Sequence, residues 1–92
     1  EAERVNSISN LLADLERRAL ELRGIFDFDA KQIRLAELER ALESPDVWND
    51  AKRAQELGRE KKLVDGVVNT LTTIAAKLTD AKELFDLARA EN

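Results

Sequence analysis

Ninety-two residues are enough for one small domain and too few for two. The chain has no Cys and no His, which excludes disulfides, thiolate and Ser-His catalysis, and the commonest metal ligands. Fifteen Lys plus Arg against nineteen Asp plus Glu give a net charge of −4, the wrong balance for a binder of nucleic-acid phosphates.

The 37% of charged residues are interspersed among 43% hydrophobic ones, as on the surface of a folded soluble domain. Three isolated glycines form no phosphate-cradling loop, and no apolar run approaches the ~20 residues of a membrane span. The sequence begins at Glu1 and contains no Met, so a piece of something longer is expected. No catalytic residue, cofactor or metal is expected, and the lack of Cys suits the cytoplasm.

The first predicted helix covers about residues 1–23. Its apolar positions Val5, Ile8, Leu12, Leu15, Ala19 and Leu22 are spaced 3, 4, 3, 4 and 3, a heptad seam. Gly24 follows it, where a left-handed glycine would end the helix. The next segment carries Phe26 and Phe28. Asp29 with Gln32 has capping-box spacing, and Phe28 with Ile33 has that of a hydrophobic staple. These open a second helix over 29–43, with Leu35, Leu38 and Leu42 on one face.

Pro45 stops that helix, and Ser44-Pro45 starts a short helical turn over 45–48. Asn49 is then the expected cap of a long helix over 50–90. Its heptad positions run Leu57, Glu60, Val64, Val67, Leu71, Ile74, Leu78, Ala81, Phe85 and Ala88. Gly58 and Gly66 each weaken it by about 1 kcal/mol relative to Ala. Thr79-Asp80 could cap a separate helix, but the seam keeps its phase there, which favours one continuous element.

Short connections make sequential helices antiparallel neighbours. The expected fold is therefore all-α: an antiparallel up-down-up three-helix bundle with coiled-coil-like packing and a long third helix, one domain over 1–92. In that arrangement Phe26 and Phe28 plug one end of the core and Trp48 the other. The far part of the long helix overhangs its partners, leaving Leu78 and Phe85 as an exposed interaction seam that drives self-association.

Basic clusters at Arg17-Arg18, Lys52-Arg53 and Arg59 with Lys61-Lys62 read as solvated helix faces paired with acids such as Glu16, Glu21 and Glu60. Carboxylate pairs such as Asp27 with Asp29 have no water-poor cleft in which to act as acid and base. Caps and solubility account for them.

The stretch Leu22-Arg23-Gly24-Ile25-Phe26-Asp27-Phe28-Asp29-Ala30-Lys31 and the connection Pro45-Asp46-Val47-Trp48-Asn49 are more specific than heptads. With Arg53-Ala54-Gln55-Glu56-Leu57-Gly58-Arg59-Glu60 and Val67-Val68-Asn69-Thr70-Leu71, they resemble the N-terminal helical domain of the bacterial peptide chain release factor 2 family. These class I factors end translation at UGA and UAA codons. Their hydrolytic Gly-Gly-Gln and codon-reading Ser-Pro-Phe tripeptides have no counterpart here, since the one Ser-Pro is followed by Asp46. The resemblance implies a non-catalytic domain that meets the ribosome near the stalk base and GTPase centre, with the recycling GTPase release factor as a further partner. The alternative is a free-standing coiled-coil adaptor that dimerises through the long helix.

Overall fold

The computed structural model describes residues 1–91. It contains α1 (Ala2–Ile25), α2 (Phe28–Glu43), α3 (Pro45–Trp48) and α4 (Ala51–Ala90), with no strand among the described residues. The chain is all-α, with antiparallel packing and a long last helix. Helix α4 runs unbroken across Thr79-Asp80 for 40 residues.

The course of α1 departs from the up-down-up expectation. Arg34 of α2 is paired with Glu60 of α4, and Phe28 clusters with Val64, Val68 and Leu71, so α2 descends α4. Helix α1 lies on the other half of α4 in the same sense. Leu22 borders a groove with Ile74 and Leu78, Glu16 reaches Lys82, and Leu12 sits by Phe85. Residue numbers rise along α1 and α2 as they fall along α4. The two helices are therefore laid end to end, both antiparallel to α4. At ~1.5 Å per residue their 24 and 16 residues together reach about 60 Å, the length of α4 itself. The molecule measures 64 × 24 × 15 Å, a long hairpin one helix pair thick.

The cause is local. Only Phe26 and Asp27 separate α1 from α2, and Gly24 stays helical. The left-handed residue is Asp27, at φ 49° and ψ 53°, which Asp tolerates better than most residues. Its amide donates to the Gly24 carbonyl, and its carbonyl accepts from the Lys31 amide, so helical bonding resumes at once. One such residue bends the chain without reversing it. Asp27 thus holds the cap position expected for Asp29, which instead lies in the first turn of α2. The staple does not form, because Ile33 is exposed.

Reversal occurs through α3. Pro45 begins that turn, and Asp50, not Asn49, caps α4 by accepting from the Arg53 amide at 3.2 Å. The core lies on this side of the molecule. Phe28, Leu38, Val64, Val68 and Leu71 form one buried cluster, with Leu22, Leu35, Leu57 and Val67 packed against it. Val47 and Ala54 are buried near the reversal. Helix α1 has no fully buried residue.

The aromatics divide accordingly. Phe28 is buried, and the Arg23 guanidinium lies 4.1 Å from its ring centroid. Phe26 is 44% exposed and plugs nothing. Trp48 does not plug the core either, since it is 62% exposed and its neighbour Val47 points inward in its place. The Trp48 indole N–H donates to the Leu42 carbonyl, tying α3 back to α2. Trp48→Ala should therefore cost about 1 kcal/mol, the scale of one exposed hydrogen bond, instead of the several expected of a buried ring. A urea melt checks this.

Candidate interaction surfaces

Leu78 and Phe85, expected on an overhang, are half-buried beneath α1. Leu78 lines grooves with Leu15, Ala19, Leu20 and Leu22; Phe85 lines one with Ser9, Leu12 and Ala13. Since α1 reaches the far half of α4, the free seam on which self-association was to rest does not exist. The apolar residues left most open lie elsewhere: Ile25, Leu63, Leu84 and Leu20 are each at least two-thirds exposed.

Charge pairing follows two patterns. On α1, Arg17 bonds Asp14 and Glu21, and Arg18 reaches Asp14 at 2.9 Å, the expected pairing along one helix. The Arg17 bond holds the Asp14 carboxyl below its ordinary value. On α4, Glu60 does not serve its neighbours Arg59 or Lys61. It accepts a forked pair of bonds from Arg34 of α2, at 2.6 Å from Nε and 2.7 Å from Nη2. Arg34 also reaches Glu37 at 3.1 Å. Among the described residues Lys52, Arg53, Arg59, Lys61 and Lys62 enter no ion pair.

The Arg34 fork holds the Glu60 carboxyl below its ordinary value, and the Arg34 guanidinium is correspondingly raised. A depressed carboxylate contributes stability that is complete above its unfolded pKa, about 4.3, and is lost as pH falls through the lower folded value. Both side chains are 41% exposed, so solvent screens the effect. Arg34→Leu should narrow the difference between urea midpoints at pH 7 and pH 3. An unchanged difference would show that the fork does not bias folding.

No group of three or more His, Cys, Asp or Glu residues suited to a metal occurs among the described residues. No described helix is long and apolar enough to cross a membrane. The surface is that of an acidic hairpin with an apolar spine and local basic runs.

Residues 31–92, from early in α2 to the end, match the PCRF domain. The chain belongs to that family. Helix α1 lies outside the matched region, but whole-chain relatives include it. The chain is 59% identical over 91 residues to peptide chain release factor 2 of Burkholderia cenocepacia, covering 99% of this chain and 25% of the relative. It is 55% identical over 91 residues to that of a Janthinobacterium species, with the same coverages. With that of Xanthomonas euvesicatoria it shares 51% over 86 residues, 94% of this chain and 23% of the relative. The PCRF chain thus spans about a quarter of the length of these relatives.

Within this PCRF structure, the turn and connection that carry the family resemblance have different tasks. The Phe26–Asp29 turn sets the bend, with Phe28 anchored in the core. The Pro45–Asn49 connection makes the reversal, with Val47 as its anchor. The Arg34–Glu60 fork was not legible in advance. Its partners are 26 residues apart, and helical spacing rules see only three or four.

Proposed function

We propose that this chain is the N-terminal, non-catalytic helical domain of a peptide chain release factor that directs translation termination at UGA and UAA stop codons in the cytoplasm. The observation that carries the reading is identity of 50–59% to release factor 2 proteins, running through nearly the whole chain. The hairpin supports a positioning role. It is 64 Å long and 15 Å thin, shaped to reach, and the grooves along the described residues stand open to solvent. In this reading its partner is the ribosome, at the stalk base and GTPase centre, with the recycling GTPase release factor as a second contact. The adaptor alternative fares worse, because its dimer seam is occupied by α1.

The test is peptide release from ribosomes programmed with UGA, UAA or a sense codon. The purified chain should release nothing at any codon, and the intact factor carrying it should release at UGA and UAA. Stop-codon-dependent release by the chain alone would overturn the assignment.

A further inference from the structure

Gly66 sits in the middle of α4 on an exposed face, where glycine weakens a helix and nothing in the chain requires it. A Cβ built there meets no atom within 4 Å, and its backbone φ is not positive. The residues around it are unusual for an exposed face. Phe26, Lys62, Leu63, Val67, Thr70 and Leu71 line one shallow groove with Gly66 as part of its floor. Leu63 is 73% exposed and Phe26 44%. Leu63, Gly66, Val67 and Thr70 follow one another at helical spacing, so the groove runs along the axis of α4. A groove of that course, with glycine in its floor, suits close approach by another helix.

The charges beside it choose the kind of helix. Over residues 52–66 of α4, Lys52, Arg59 and Lys62 share the outer face with Gly66 and with one acid, Glu56; further along the same face come Lys77 and Asp80. None of the first three cations is in an ion pair among the described residues. On the far side, the Lys31 ammonium donates at 2.7 Å to the carbonyl of Phe26, which lines the groove. The acids nearest in sequence are Asp27, beside Phe26, and Asp65, which accepts from the Asn69 side-chain amide. In a chain of net charge −4 this cationic margin is a local inversion.

We propose that the Gly66 groove is the docking site of an acidic amphipathic helix of a partner protein. The partner's apolar ridge lies over Gly66 between Leu63 and Phe26, and its carboxylates face Arg59 and Lys62. Apolar contact with the glycine floor supplies affinity, and the cations set orientation and association rate. This inference does not depend on the termination reading, because it rests only on the groove between α4 and the α1–α2 bend.

The probe is a synthetic 18-residue amphipathic helix with Leu and Phe on one face and Glu on the flanks, titrated into the isotopically labelled chain by NMR. A second peptide carries Lys in place of Glu. Amide shifts should be confined to residues 59–71 and Phe26, and the Lys peptide should bind at least about tenfold more weakly. Gly66→Leu fills the groove and should weaken binding by a similar factor, with helicity checked by circular dichroism. Gly58→Ala, which strengthens the same helix off the groove, should leave binding unchanged. Equal affinity of the two peptides, shifts elsewhere, or indifference to Gly66→Leu would overturn the proposal. So would a concentration-dependent dimer whose shifts map to the groove, which would assign it to a second copy. Stronger occupation of the same residues by an RNA hairpin would replace the protein partner with nucleic acid.

Discussion

Replacing Phe28 with alanine should destabilise the chain by about 3–5 kcal/mol, a large share of the ~5–15 kcal/mol typical of a small domain. Phe28 is 5% exposed and belongs to the cluster of Leu38, Val64, Val68 and Leu71. It is also the first residue of α2, directly after the left-handed Asp27, so its anchoring fixes the bend. Truncation leaves a cavity and removes the face on which the Arg23 guanidinium rests. Leu38→Ala, at a site with no exposed surface, should cost about 2–5 kcal/mol by cavity formation alone. Phe26→Ala is the control, with about 1 kcal/mol or less expected of a half-exposed ring. Urea unfolding of the three variants decides the matter. Equal losses for Phe26→Ala and Phe28→Ala would show that the core is not where the burial places it.

What was legible in advance was whatever local spacing encodes. The heptad phase of α4 persists through Thr79-Asp80, and the helix is continuous there. Pro45 marks the end of α2 for a steric reason intrinsic to the dipeptide. The bend was harder, because Gly24 and Asp27 both supply a residue able to turn left-handed, and composition favours glycine. The chain used Asp27, which moves the start of α2 to Phe28 and leaves too few residues for a reversal. That single choice decides whether α1 lies beside α2 or ahead of it. Trp48 failed for a similar reason. Val47 and Trp48 are adjacent on one turn of helix, only one can point inward, and size does not say which.

Burial therefore grades along the hairpin. The buried residues of α4, from Ala54 to Leu71, lie in the half beneath α2 and α3, and the half beneath α1 contains none beyond Leu71. Helix α1 is held by a half-buried stripe including Val5, Leu12, Ala19 and Leu22. One exposed ion pair, Glu16 to Lys82 at 3.9 Å, adds little. Opening of α1 should precede global unfolding.

Leu78→Glu combined with Phe85→Glu should release α1 from α4 while α2, α3 and the first half of α4 stay folded. Each substitution sets a carboxylate in the seam where α1 packs. Residues of α1 facing those positions include Leu12, Ala19, Leu22 and Glu16, so the new charges meet apolar surface and a like charge. Fully burying a Leu or Phe is worth about 1.5–3 kcal/mol, and these half-buried ones contribute a fraction of that. The change is nonetheless decisive, because beyond this stripe α1 has only Arg23 over the Phe28 ring and the weak Glu16–Lys82 pair, and a protein helix owes most of its stability to packing of its apolar face. Its 24 residues are about a quarter of the chain, so ellipticity at 222 nm should fall by up to that share. Hydrogen exchange should show fast α1 amides beside still-protected amides at Leu38 and Val68. Sedimentation of the parent chain should be independent of concentration, since the seam is already covered. Protection of α1 unchanged in the double variant, or loss of α1 and the Phe28 cluster in one step, would show that the hairpin is a single cooperative unit.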